Sequence, residues 1–164
     1  VSEELDLLLR ILAIGIGATM VMDIWAIVQR RAFGVPPPDY ALVGRWIGHM
    51  LRGRFCHRSI AAAAPIEGER GIGWVVHYAT GITYAALLLA VWGPAWARDP
   101  TLLPALVTGL ATVAVPFLVM QPAFGLGIAA SRTPHPHAAR LRSLSAHLSF
   151  GLGLYLSGCA SLLL

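Results

Sequence analysis

The chain has 164 residues, of which 57% are hydrophobic and only 12% charged, with a mean hydropathy of +0.69. A water-soluble domain covers its surface with roughly 25% charged residues, so this composition excludes an ordinary soluble globule and names the lipid bilayer as the first partner. The net charge of +4 comes from twelve basic residues, all arginine; these flank apolar runs, where anionic headgroups meet them, and nucleic acid is not expected as a partner.

A membrane-crossing helix needs roughly 20 mostly apolar residues. Four runs qualify, at residues 7–29, 71–92, 101–129 and 144–164. None alternates as barrel strands do, and irregular backbone cannot face lipid, so helices are the reading that satisfies the main chain. The expected fold is all-α, a single transmembrane domain over 1–164 built as an integral membrane four-helix bundle.

The first run follows Glu3, Glu4 and Asp6 instead of a basic leader. It is therefore read as its own insertion signal and not as a cleaved signal peptide. Gly15, Thr19 and Asp23 stack on one face of this helix, with Met20 and Met22 alongside.

Pro36, Pro37 and Pro38 stop the first helix and fix an extended exit. Over residues 39–52, Leu42, Val43, Trp46, Ile47, Met50 and Leu51 recur at helical spacing, with Arg45, His49 and Arg52 on the other side. This predicts an amphipathic interfacial helix on the cytoplasmic membrane surface. It serves either as a lid over a cytoplasmic opening or, more simply, as a linker whose apolar stripe sits among headgroups.

The second run carries Gly73, His77, Gly81 and Tyr84 on one face. In the third, Pro116 and Pro122 bracket Met120 and Gln121. Each proline lacks an N–H and frees the carbonyl four residues earlier, at Thr112 and Leu118, so this helix is expected to break. Broken spans mark ion or substrate sites in transporters, although proline kinks also occur without such a role. The fourth run places Ser145, Ser149, Gly153, Ser157 and Ser161 every four residues, a stripe of small residues that lets another helix approach closely.

Arginine counting sets the orientation. Seven arginines lie between residues 30 and 70 and three more between 130 and 143, against Arg98 and Arg10 on the alternate side. Both basic loops are expected in the cytoplasm and both termini outside, with Trp92 and Trp96 in an outer aromatic belt. Cys56 and Cys159 then fall near opposite faces and are not expected to pair.

Ionisable groups inside a span cost roughly 2.5–3.5 kcal/mol each, so the few present require partners. Counting about 1.5 Å per residue from the flanking arginines puts Asp23, His77 and His147 about 7–11 Å from the cytoplasmic edge, and Gln121 about 16 Å in. Two readings follow. The four form an ion, proton or ligand site with Thr19 and Tyr84 beside it, or an Asp–His hydrogen bond locks helix register.

Several segments together carry a resemblance: residues 15–23 (GIGATMVMD), 41–50 (ALVGRWIGHM), 73–78 (GWVVHY), 120–122 (MQP), 130–134 (ASRTP) and 140–155, which runs from RLRS through His147 to FGLGLY. On these the sequence resembles a bacterial family of small integral inner-membrane proteins catalogued as a domain of unknown function. The resemblance covers nearly the whole chain. It implies a four-helix membrane protein of this length in the bacterial inner membrane, and no assigned activity.

Three functions fit the residues. The first is a small ion or solute transporter or channel subunit, working through the Asp23 and His77 cluster as a homodimer or in a larger membrane complex. The second is an accessory or assembly subunit with no chemistry of its own. The third is a haem- or metal-binding bundle, with His77 and His147 as axial ligands or with Asp23, Met20 and Met120 contributing. No cofactor is required by the sequence. His135 and His137 sit in a turn-rich loop, and Cys56 with His57 makes a weaker metal candidate. No nucleophile–base pair, phosphate loop or zincin motif points to an enzyme.

Overall fold

A computed structural model describes residues 2–163. The described chain is all-helical, with no strand: α1 (Glu3–Phe33), α2 (Tyr40–Met50), α3 (Glu69–Trp92), α4 (Leu102–Ala111), α5 (Gln121–Ala123) and α6 (Pro136–Ser161). Short 3-10 turns and a π-helical segment, Pro116–Met120, join them. Three stretches are long and apolar enough to cross a membrane: α1, α3 and the run Leu102–Ala123. Helix α6 holds the fourth predicted run, but its serine stripe and His147 lower its apolar content, and it is not among those three. The last residue of that run, Leu164, lies outside the described residues.

The chain divides into two compact units. The first comprises Val1–Pro37, Tyr78–Thr112 and Ser145–Leu164. Its core is Ile14, Ala18, Ala85, Leu88, Phe150 and Leu154, all buried. Helix α1 starts on a Ser2 cap whose hydroxyl accepts from the Leu5 N–H, carries Glu3, Glu4 and Asp6 in its first turn, and ends at Gly34 in the left-handed conformation. Each feature matches the exposed N–H groups at the start and carbonyls at the end of a helix.

Small residues let these helices touch. A Cβ on Gly15 would strike the Ile82 backbone, and one on Gly81 would strike the Thr19 hydroxyl. The serine stripe of α6 meets α1 as its spacing predicts. Gly153 lies on Ala18, Ser157 fits against Gly17, and the Ser161 carbonyl accepts from Arg10. Gly109 of α4 lies on Gly151 of α6. The large side chains Leu8, Ile16, Met20, Ile24 and Ile27 of α1 point outward instead, the reverse of a soluble fold and what lipid permits. Trp96 departs from the expected aromatic belt. It is only 5% exposed and its ring covers Gly158.

The second unit comprises Pro38–His77 and Val113–Leu144. Helix α2 forms where predicted, capped by Asp39, whose carboxylate accepts from the Ala41 N–H. Its polar flank is not left to solvent. His49 is 4% exposed, and Arg45 makes a two-pronged ion pair with Glu69 (2.8 and 2.7 Å) while also donating to the carbonyls of Ile60, Ala61 and Ala63. Gly44 and Gly73 form a reciprocal notch, with the Glu69 carbonyl against the first and the Tyr40 carbonyl against the second. The loop after α2 returns to the end of the third apolar run, where His57 N–H donates to Ala123 O (2.8 Å) and Ile60 N–H to Phe124 O (3.1 Å).

That third run stops at Ala123, short of the expected residue 129. Beyond it Gly125 and Gly127 adopt positive φ, followed by Ala129 and Ala130, also left-handed. Arg140 holds this turn by donating to Ala129 O (2.8 Å).

Candidate functional site

The residues singled out by sequence divide between the two units. In the first, Asp23 accepts a hydrogen bond from the Tyr78 hydroxyl at 3.0 Å. Thr19, one helical turn before Asp23, is buried and donates to the Gly15 carbonyl (2.8 Å), the local bond by which a buried helical threonine satisfies itself. Tyr84 packs edge-on to Phe150, with ring centroids 6.0 Å apart.

His147 meets Thr112, with Nδ1 and Oγ1 2.8 Å apart. The same hydroxyl lies 2.6 Å from the Gly109 carbonyl. A carbonyl only accepts and the hydroxyl has one proton, so that proton goes to Gly109 and His147 Nδ1–H becomes the donor. The ring is thereby fixed as the Nδ1–H tautomer, and α4 is tied to α6 at the point where Gly109 brings them closest.

In the second unit His77 stacks on Tyr40, with centroids 4.1 Å apart and planes 25° off parallel, and meets Trp74 edge-on at 5.7 Å. Sequence reasoning did not pair these elements, because Tyr40 is brought to α3 only by the glycine notch. Gln121 is 7% exposed. Its amide nitrogen donates to Ser143 Oγ at 3.3 Å, while its buried Oε1 has no partner.

The break around Gln121 is as the prolines require. Helix α4 ends at Ala111, and the π segment follows from Pro116, with the Gln121 N–H reaching back to the Pro116 carbonyl. π turns inside α-helices are rare and occur often at functional sites.

Two further residues belong beside these. His49 and His57 face each other edge-on, with ring centroids 5.0 Å apart. His49 Nδ1 and both ring nitrogens of His57 are buried without a partner. Together with Gln121 Oε1 these are the orphaned buried side-chain atoms of the described residues, and all lie in the second unit. Burial first, then the neighbouring His49, pushes the His57 pKa below the usual imidazole value. The sequence signal for this pair was the placing of His49 on the polar flank of α2 and of His57 eight residues later; only the fold of the loop joins them.

Among the described residues no three His, Cys, Asp or Glu side chains converge to hold a metal. Met20, a candidate sulfur ligand, is 51% exposed. Cys56 and Cys159 are both free.

An all-helical chain with three helices able to cross a membrane, close-packed through glycine and carrying paired polar groups, defines the class. Within it the chain belongs to the family described as protein of unknown function (DUF2938), whose model matches residues 12–161. No curated protein and no solved structure is matched.

Proposed function

We propose that this chain is a multi-pass protein of the bacterial inner membrane that moves a proton or small cation, as a transporter or channel subunit acting as a homodimer or in a larger membrane complex. In this reading α6 makes a fourth crossing, both termini face outward, and α2 lies at the cytoplasmic interface. The observation that carries it is the interrupted third span, where α4 gives way to the π segment and Gln121 presents a buried, unpartnered Oε1. A polar acceptor left open beside a broken membrane helix is the arrangement by which transporters build cation sites. Asp23 supplies an ionisable group inside a span, held by Tyr78, where such a group is rarely kept without a role.

The test is flux. Purified protein in liposomes, with a pH-sensitive dye or a sodium or potassium indicator inside, is expected to pass one of these ions down an imposed gradient. Asp23→Asn and Gln121→Leu are each expected to lower the rate at least tenfold with the helical circular-dichroism signal intact. Folded wild-type protein that passes none of the three ions would overturn this reading in favour of an accessory subunit.

A further inference from the structure

We propose that His49 and His57 form a binding site for a tetrahedral late transition-metal ion of the zinc class. His49 Nε2 lies 3.0 Å from the Ala64 carbonyl. A carbonyl only accepts, so Nε2 carries the proton and Nδ1 is left as a lone pair, buried and without a partner. A ring whose far N–H is anchored on a backbone carbonyl is the arrangement that orients metal-ligating histidines and raises their basicity. His57 adds a ring whose two nitrogens are likewise buried and unpartnered, so a neutral imidazole there presents a second unspent lone pair.

The spacing of the two rings is compatible with a shared ion. With a metal–nitrogen bond of about 2.0–2.1 Å and about 1.2 Å more to the ring centre, two imidazoles on one ion stand about 5 Å apart at a tetrahedral angle and about 6.4 Å apart if linear. The observed separation is 5.0 Å, close to the tetrahedral value and well short of the linear one. Imidazole ligands suit zinc, copper and nickel, and tetrahedral preference favours zinc among them.

No third His, Cys, Asp or Glu completes the set among the described residues. Two positions are thus left for water or an exchanging ligand, so the site is a labile one and not a closed structural zinc centre. It sits at the end of α2 and on the loop held to Ala123 and Phe124, and it shares no residue with the Asp23–Tyr78 pair. It does not depend on the transport reading.

The experiment is zinc titration of the detergent-purified full chain, freed of metal by chelator, with Co(II) as a spectroscopic stand-in. Wild type is expected to take up one equivalent of zinc, to rise in melting temperature as it does so, and to give with Co(II) the intense visible absorption of a four-coordinate site. His57→Asn and His49→Ala are each expected to weaken binding by about 100-fold or more, beyond the loss of an outer-shell partner. A His135→Ala/His137→Ala variant should bind as wild type does. Wild type that takes up no zinc overturns the proposal, as does uptake lost with His135 and His137 but kept without His57. Should His49→Ala fail to fold, His57→Asn and the wild-type Co(II) spectrum decide between the same outcomes.

Discussion

Arg45 grips Glu69 through two parallel N–H···O bonds, from Nε at 2.8 Å and from Nη2 at 2.7 Å. The two side chains are only 12% and 16% exposed, so this is not a solvent-screened surface pair. The guanidinium's other nitrogen donates to three loop carbonyls, and burial is compensated because nearly every donor is used. The pair's mutual attraction raises the Arg45 pKa above its usual value.

Arg45→Lys keeps the charge but loses the planar fork and the carbonyl contacts. The expected cost is about 2–4 kcal/mol, read as a lower denaturation midpoint in detergent. An unchanged midpoint would mean that the loop 60–63 is held by other contacts.

Acid should loosen the second unit through His57. The folded pKa is depressed, chiefly by burial and next by His49, with Arg54 adding a little, so the unfolded chain binds the proton more readily. The neutral ring's contribution is complete above the unfolded value of about 6.5 and is lost as pH falls from there through the lower folded value. With chelator present, the wild-type melting temperature is expected to fall as pH drops below about 6.5, and His57→Asn to flatten that slope. A slope the same in both proteins would refute the assignment to His57.

Close helix approach in the first unit depends on Gly81. Even one methyl there meets the Thr19 hydroxyl, and that hydroxyl is already committed to Gly15 O. Gly81→Val is expected to cost about 1–3 kcal/mol by overpacking, and Gly81→Val/Thr19→Ala to recover part of it. Equal stability of the single variant and wild type would show that α1 and α3 can part without penalty.

Much of the architecture was legible because it rests on local rules. Apolar run length placed the helices, the four-residue repeat from Ser145 to Ser161 named the face of α6 that meets α1, and Pro116 and Pro122 located the break. Partners were harder to read. Tyr78, the neighbour of His77 in sequence, was not singled out, although its hydroxyl donates to Asp23. Arg45 and Glu69 lie 24 residues apart, and His49 and His57 meet only because the intervening loop folds back onto Ala123. Such pairings depend on how a loop closes, which hydropathy does not encode. The burial of Trp96 was missed for a similar reason, since a tryptophan at a span end reads as a belt residue until its ring finds a glycine to cover.

Helix α1 of the first unit meets its neighbours largely through small residues and turns most of its large aliphatic side chains outward, and this inversion changes what unfolding means. In a bilayer the leucines and isoleucines of α1 contact hydrocarbon before and after the helices separate, so little apolar surface would reach water. The heat-capacity increment that bends the stability curve of soluble proteins arises from such hydration. Denaturation in lipid should therefore be a parting of intact helices with little curvature in temperature and little cold weakening, followed better by distances between helices than by loss of helical signal.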